Sequence, residues 1–313
     1  MQSVDGVGFV MSKLPHLLAG VGPALMMGAC GCSGASGDSD DPNRDGAGGT
    51  GAAGEAAVGA AGAIPMAGAA GRSGEPATIS IYLTGDLSPK AYSDDLAGQT
   101  PTDYFVAISK YYLLTSADDP EPVRCFERST PIEADLFQDN FVGACDTPSV
   151  PSAQYTHGRT QVDWMRYTVQ GTLHAEGQSL PNEISFFRAF SDTTYQGDSF
   201  SAGEGTFTLS GPPSYTSRMT FEALPSVPGV DIELVEGELW MTFPYTRPLD
   251  IDQQDPSPHW ARTHWEIHEA FRWEDDSASG YTTGIWDVSE APDESEEVIV
   301  PGVSGYYVTA STD

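Results

Sequence analysis

Three histidines, His259, His264 and His268, fall within ten residues, and Asp250, Asp252, Asp255 and Glu266 lie among or just before them. Imidazole nitrogens and carboxylate oxygens together make a donor set for zinc and related ions. Geometry decides whether they act together. On a helix, His264 and His268 stand one turn apart and can share an ion. On a strand they are about 13 Å apart and cannot. Residues 262–274 favour a strand: Trp265, Ile267, Phe271 and Trp273 fall on one face, and His264, Glu266 and His268 on the other, with Glu269 out of pattern. His264 and Glu266 could then chelate only with a residue from a neighbouring strand. A solvated polar face is the expected reading, and no metal or other cofactor is assigned.

Calcium is the next chemistry to weigh. Asp250-Ile251-Asp252-Gln253-Gln254-Asp255 and Asp275-Asp276-Ser277-Ala278-Ser279-Gly280 both place oxygens at alternating positions, as calcium loops do. The second has glycine at its sixth position but Trp286, not Glu, at its twelfth. Turn chemistry accounts for both loops, with calcium as the alternative. Trp260, which follows the Pro-rich stretch 255–259, is the aromatic best placed to be exposed. It is the candidate stacking platform for a sugar or another flat ligand.

A serine nucleophile is the third possibility. Gly197-Asp198-Ser199-Phe200-Ser201-Ala202-Gly203 resembles the GDSxSxG block of the SGNH hydrolases. The resemblance implies a nucleophilic Ser199 activated by a histidine, which an Asp three residues earlier holds. It covers seven residues. The family's DxxH pair is missing, because Asp255 and His259 are spaced one residue too far apart, and so are its Gly and Asn blocks. In the family the block follows the first strand of a parallel α/β sheet; here it lies late in a strand-rich region. Ser199 is the weak candidate for the hydrolase alternative, and no catalytic set is complete.

The elements that must position these residues are strands. Segments rich in β-branched and aromatic residues recur at 78–84, 104–115, 123–127, 132–136, 160–174, 183–190, 205–210, 217–222, 230–235, 238–243, 262–274, 297–300 and 305–309. Val230, Ile232 and Leu234 alternate with Asp231 and Glu233, the period of a half-buried strand. Pro, Gly, Asp and Ser clusters separate the segments, and no convincing helical stripe exceeds ten residues. The expectation is an all-β body over 77–313, an antiparallel β-sandwich, one large or two small, with a possible sub-boundary near 211–214. Cys125 and Cys145, the body's two cysteines, are expected to form a disulfide in an exported chain.

Residues 1–76 differ from the body. Lys13 precedes a short apolar stretch, 14–29, broken by Pro15, His16 and Pro23. It is too short and interrupted to span a bilayer and reads as a secretory signal, with Met11 the natural start. The stretch ends in Met27-Gly28-Ala29-Cys30, which resembles the lipobox of bacterial lipoproteins, although Met27 stands where that family usually has Leu. The resemblance implies cleavage before Cys30 and lipidation of it, with Cys32 the alternative. Gly31 and Ser33, the residues after these cysteines, are not the Asp that retains such proteins at the inner membrane, so the resemblance implies the outer membrane. Residues 33–76 are Gly/Ala/Ser-rich and lack apolar side chains that could offset ordering entropy. They read as a disordered, flexible tether with an r.m.s. reach of roughly 35–40 Å.

Charge narrows the partners. The chain's net charge is −31, and the body holds 38 acidic and 11 basic residues. Such a chain is repelled by phosphate backbones, so no nucleic acid is expected. The expected partners are a membrane, reached through the lipid, and an extracellular ligand or protein that the sequence does not identify. The function class read from these features is a non-enzymatic outer-membrane lipoprotein that displays a binding or structural module. A serine hydrolase and a divalent-metal-binding surface protein are the alternatives.

Overall fold

The computed structural model describes residues 78–312 apart from 147–148, 212–213, 222–228, 256, 277–279 and 290–293. The signal, Cys30, Cys32, the tether and the centre of the second acidic loop lie outside the described residues. Those described form eighteen strands and no α-helix. The body is all-β.

One layer contains β1 (Thr78–Asp86), β5 (Asn140–Asp146), β14 (His259–Glu266) and β18 (Gly305–Thr312), in the order β5-β1-β14-β18. The other contains β3 (Asp103–Leu114), β4 (Val123–Asp135), β6 (Ala153–Ala175) and β13 (Glu238–Ile251), in the order β4-β3-β6-β13, with β12 (Asp231–Val235) beside β13. Alternation builds the core between them. Ile79, Ile81 and Leu83 of β1 are buried while the intervening residues are not. On β14, His259, Ala261, Thr263 and Trp265 point inward, and Trp260, Arg262, His264 and Glu266 point outward. Trp265 is fully buried and meets Tyr104 of the facing layer edge-on. The inward faces form one cluster that includes Val106, Ile108, Val162, Phe243 and Val308.

The layers are joined at both margins. On one side β13 and β18 run parallel and touch at Tyr245–Val308. On the other, Cys125 of β4 and Cys145 of β5 are bridged by a disulfide. Pairing within the sandwich is mainly antiparallel, but β1–β14 is parallel, as is β13–β18. Residues 126–144 are mostly strand and include the expected 132–136.

Strand β6 extends past the sandwich. Its N-terminal half pairs with β13, and its C-terminal half pairs with β7 (Gln178–Ala189), which continues to β10 (Glu204–Leu209) and β11 (Tyr215–Thr220). Gly211 and Ser214, at the possible sub-boundary, fall between β10 and β11, and 212–213 lie outside the described residues. The other edge of β6 receives β16 (Trp286–Ser289) in parallel. A small sheet of β2 (Ala97–Gln99), β15 (Phe271–Trp273) and β17 (Val298–Pro301) completes this part. Tyr167, Phe186, Phe271 and Trp286 pack between these elements. On the opposite face of the extension, a hairpin of β8 (Thr193–Tyr195) and β9 (Asp198–Phe200) stacks Tyr195 on Phe187 at 4.0 Å.

The single strand expected at 262–274 is two strands in different sheets. Chain direction changes at Glu269, whose φ is +44°. A left-handed φ is costly for a residue with a Cβ, and it explains why Glu269 broke the alternation. His268 therefore lies beyond β14 and does not extend its outer face.

Candidate functional site

A polar concavity opens where β6 changes partner. At Val162 the strand pairs with Leu239 of β13; at Trp164 it pairs with Ala189 of β7. Ile108 of β3 opposes Val162, Ala107 opposes Trp164, and Lys110 opposes Gln161. Asp163 and Ser109 are thus the extra residues of two adjacent β-bulges. Bulges break the ladder and re-aim side chains. Here they turn Asp163, Gln161 and Ser109 into a cleft of about 560 Å³, rimmed by residues 127–131 of β4 and by the β12–β13 turn.

Four polar side chains line the interior although each is at least nine-tenths buried: Ser109, Gln161, Asp163 and Ser191. Gln161 Nε2 donates to Asp163 Oδ1 at 3.3 Å, and Ser191 Oγ donates to the same oxygen at 3.1 Å. Asp163 Oδ2 and Gln161 Oε1 are buried acceptors without a hydrogen-bond partner. Burial pushes the Asp163 carboxyl up to about 6. The Ser109 and Ser191 hydroxyls oppose that rise, and Glu238 adds to it. At the rim Lys110 donates to both carboxylate oxygens of Glu238 at 2.9 Å. The lining carries two cations, Lys110 and Arg128, against Glu127, Asp163, Asp192, Glu236 and Glu238. Sequence reasoning missed this site. Its one signal was an acidic residue set between Val162 and Trp164 inside a strand.

The sequence-derived candidates fall elsewhere. Ser199 is exposed on β9 and pairs with Thr194 across the β8–β9 hairpin. Gln196 (φ +52°) and Gly197 (φ +92°) make the turn, so the Gly-Asp-Ser block serves hairpin geometry. The histidines His157, His174 and His264 bond to Thr156, to Asp287 and Ser179, and to Thr309 respectively. Ser199 is not among these partners.

His264 and Glu266 share the outer face of β14, as the alternation indicated. His264 stacks on Tyr307 at 4.3 Å and bonds to Thr309. Burial, then Arg262, pushes its imidazole pKa down. Glu266 forms an ion pair with Lys90. His259 faces the core instead, so it cannot join His264 at one ion. Trp260 lies beneath the Arg262 guanidinium, 5.1 Å from the ring centre, and Arg262 also grips Asp139 through two hydrogen bonds. The aromatic platform therefore carries a cation of the chain itself.

The acidic loop is used in turns. Asp250 accepts from Gln154, Asp252 from the Gln254 backbone N–H, and Asp255 from the Ser257 backbone N–H. The last bond holds the Asp255 carboxyl below the usual range. Among the described residues no group of three or more His, Cys, Asp or Glu side chains is placed to hold a metal ion.

A second polar cluster lies beside β16. Asp287 is fully buried, and its Oδ1 lies 2.5 Å from His174 Nε2. Glu296 takes the backbone N–H groups of Asp276 and Asp287, at 2.8 and 2.7 Å. Burial pushes its carboxyl up to about 7 against those two bonds, with Asp287 and Asp275 adding to the rise.

No family model matches the chain, and neither a curated protein nor a solved structure matches it.

Proposed function

We propose that the chain is a lipid-anchored protein of the bacterial outer membrane that displays a β-sandwich binding module, and that the cleft around Asp163 takes a small, neutral, hydroxyl-rich ligand. One observation carries the ligand class: two acceptors, Asp163 Oδ2 and Gln161 Oε1, and one hydroxyl, Ser109 Oγ, are buried in the cleft lining without a hydrogen-bond partner. A buried polar group left unpaired costs about 1–3 kcal/mol. A ligand that brings hydroxyl donors recovers that cost, whereas an anion would add to the excess of carboxylates around the opening. Cleft size agrees, since small-molecule sites run to about 300–1,000 Å³. The lipobox-like Met27-Gly28-Ala29-Cys30 and the Gly/Ala-rich stretch after it support display from a membrane.

The ligand half is tested on a glycan array with the purified body. Neutral sugars are expected to bind, and the same spots are expected to go dark with Asp163→Asn. An array without neutral-sugar signal, or one that Asp163→Asn leaves unchanged, overturns the ligand assignment. The anchoring half is tested by fractionation. Cys30→Ser is expected to move the protein from the membrane to the soluble fraction, and Cys32→Ser to leave it in the membrane. Reversed behaviour would make Cys32 the anchor; release by neither would remove the lipoprotein reading.

A further inference from the structure

We propose that Ser179, His174 and Asp287 form a nucleophile relay that accepts acyl groups from activated esters. The residues come together through two separate pairings. The β6–β7 hairpin turns at Glu176 (φ +49°) and Gly177 (φ +74°), the left-handed pair of a tight two-residue turn. That turn fixes the register, with His174 directly opposite Ser179. Their side chains share a face, and Ser179 Oγ lies 3.1 Å from His174 Nδ1. On the other edge of β6, parallel pairing with β16 delivers Asp287, whose Oδ1 lies 2.5 Å from His174 Nε2.

The order is that of a nucleophile, a base and an acid that orients the base. In the relay Asp287 acts as the acceptor, as a carboxylate does, which puts the ring proton on Nε2. Nδ1 then offers its lone pair to Ser179, whose hydroxyl donates. The two ring nitrogens are exchanged relative to the common serine-hydrolase arrangement, yet each does the same task. Burial is graded in the useful sense: Ser179 is exposed, His174 is partly covered, and Asp287 is fully buried. Asp287 is held in place, because its Oδ2 accepts the Thr282 backbone N–H at 2.9 Å. The Tyr281 ring lies against the imidazole, with centroids 4.7 Å apart.

Reaction would follow the usual balance of acyl transfer. Ser179 Oγ bonds to the ester carbonyl carbon while its proton passes to His174 Nδ1. The C–O bond to the leaving group then breaks, the proton follows the departing oxygen, and an acyl ester remains on Ser179. Water attacks that ester, gives a proton to His174 and releases the carboxylic acid; the proton returns to Ser179. Esters with acidic leaving groups are the substrate class, since these depart with least help from hydrogen-bond donors.

A fluorophosphonate probe on the full chain tests the relay. One label per chain is expected, mapped by mass spectrometry to Ser179. It is lost in Ser179→Ala and retained in Ser199→Ala. Ser179 is exposed, so Ser179→Ala should keep the wild-type circular dichroism. Asp287→Asn, which alters a positioning residue, is expected to slow labelling at least tenfold. An unlabelled wild type, or a label that survives Ser179→Ala, overturns the proposal. A label that maps to Ser199 does the same and restores the nucleophile that the sequence suggested.

Discussion

Asp163→Asn is expected to stabilise the body at pH 8 and to leave its stability unchanged near pH 3. The folded protein holds the Asp163 proton with a pKa of about 6, against 3.8 for an ordinary aspartate. A folded pKa above the unfolded one means that ionisation costs folding free energy. The cost is absent below the unfolded value, grows between about pH 4 and 6, and is complete above that. A rise of that size corresponds to about 3 kcal/mol. For a domain of this size that is roughly 6–12 °C in melting temperature. Asparagine keeps an oxygen where Gln161 Nε2 and Ser191 Oγ donate, and it removes the charge. Melting curves of wild type and variant at both pH values check this; equal pH dependence in the two proteins would refute it. Glu296, pushed up to about 7, titrates in an overlapping window with the same sign. Glu296 therefore leaves a slope of the same sign in the variant. The variant that gains stability is also the one expected to lose the ligand.

Much of the body was legible because strands write their burial into a period of two. On β14 the alternation placed Trp265 inside and His264 and Glu266 outside, as found. It failed one turn later, at Glu269, because a left-handed residue ends a strand without leaving a compositional mark. The cleft was illegible for a different reason. Asp163 and Ser109 become bulge residues only when β3, β13 and β7 are all paired to β6, and no local pattern specifies three partners. The relay was half legible. A Glu-Gly turn sets His174 against Ser179, five residues on, but Asp287 arrives from 113 residues downstream. The Gly-Asp-Ser block around Ser199 drew attention through its residue types, yet the same residues suit a tight hairpin. Types alone did not separate a nucleophile from a turn; the presence of an imidazole beside the hydroxyl does.

Replacing Cys125 and Cys145 together by alanine is expected to cost about 3 kcal/mol of stability. The bridge closes 20 residues of sequence separation, and loop-closure entropy in the unfolded chain gives that magnitude. Non-reducing digestion should show the linked peptide pair. Chemical denaturation of the double variant should show the loss; a midpoint equal to wild type would refute it. Position sharpens the expectation. β4 is an edge of one layer and β5 an edge of the other, and the two strands form no backbone ladder with each other. At the opposite margin the layers touch through a single ladder position, Tyr245–Val308. The disulfide is therefore the covalent tie across a margin that lacks ladder bonds, next to the rim of the cleft, where residues 128–131 leave the β3 ladder. Amide exchange should quicken most in β4 and β5 of the double variant and least in the β6–β7 hairpin. If the loss were purely an unfolded-state effect, native exchange would rise by the same free energy at every globally protected amide, β6–β7 included. The contrast between the two patterns separates constraint on the unfolded chain from a tie that holds the native margin closed.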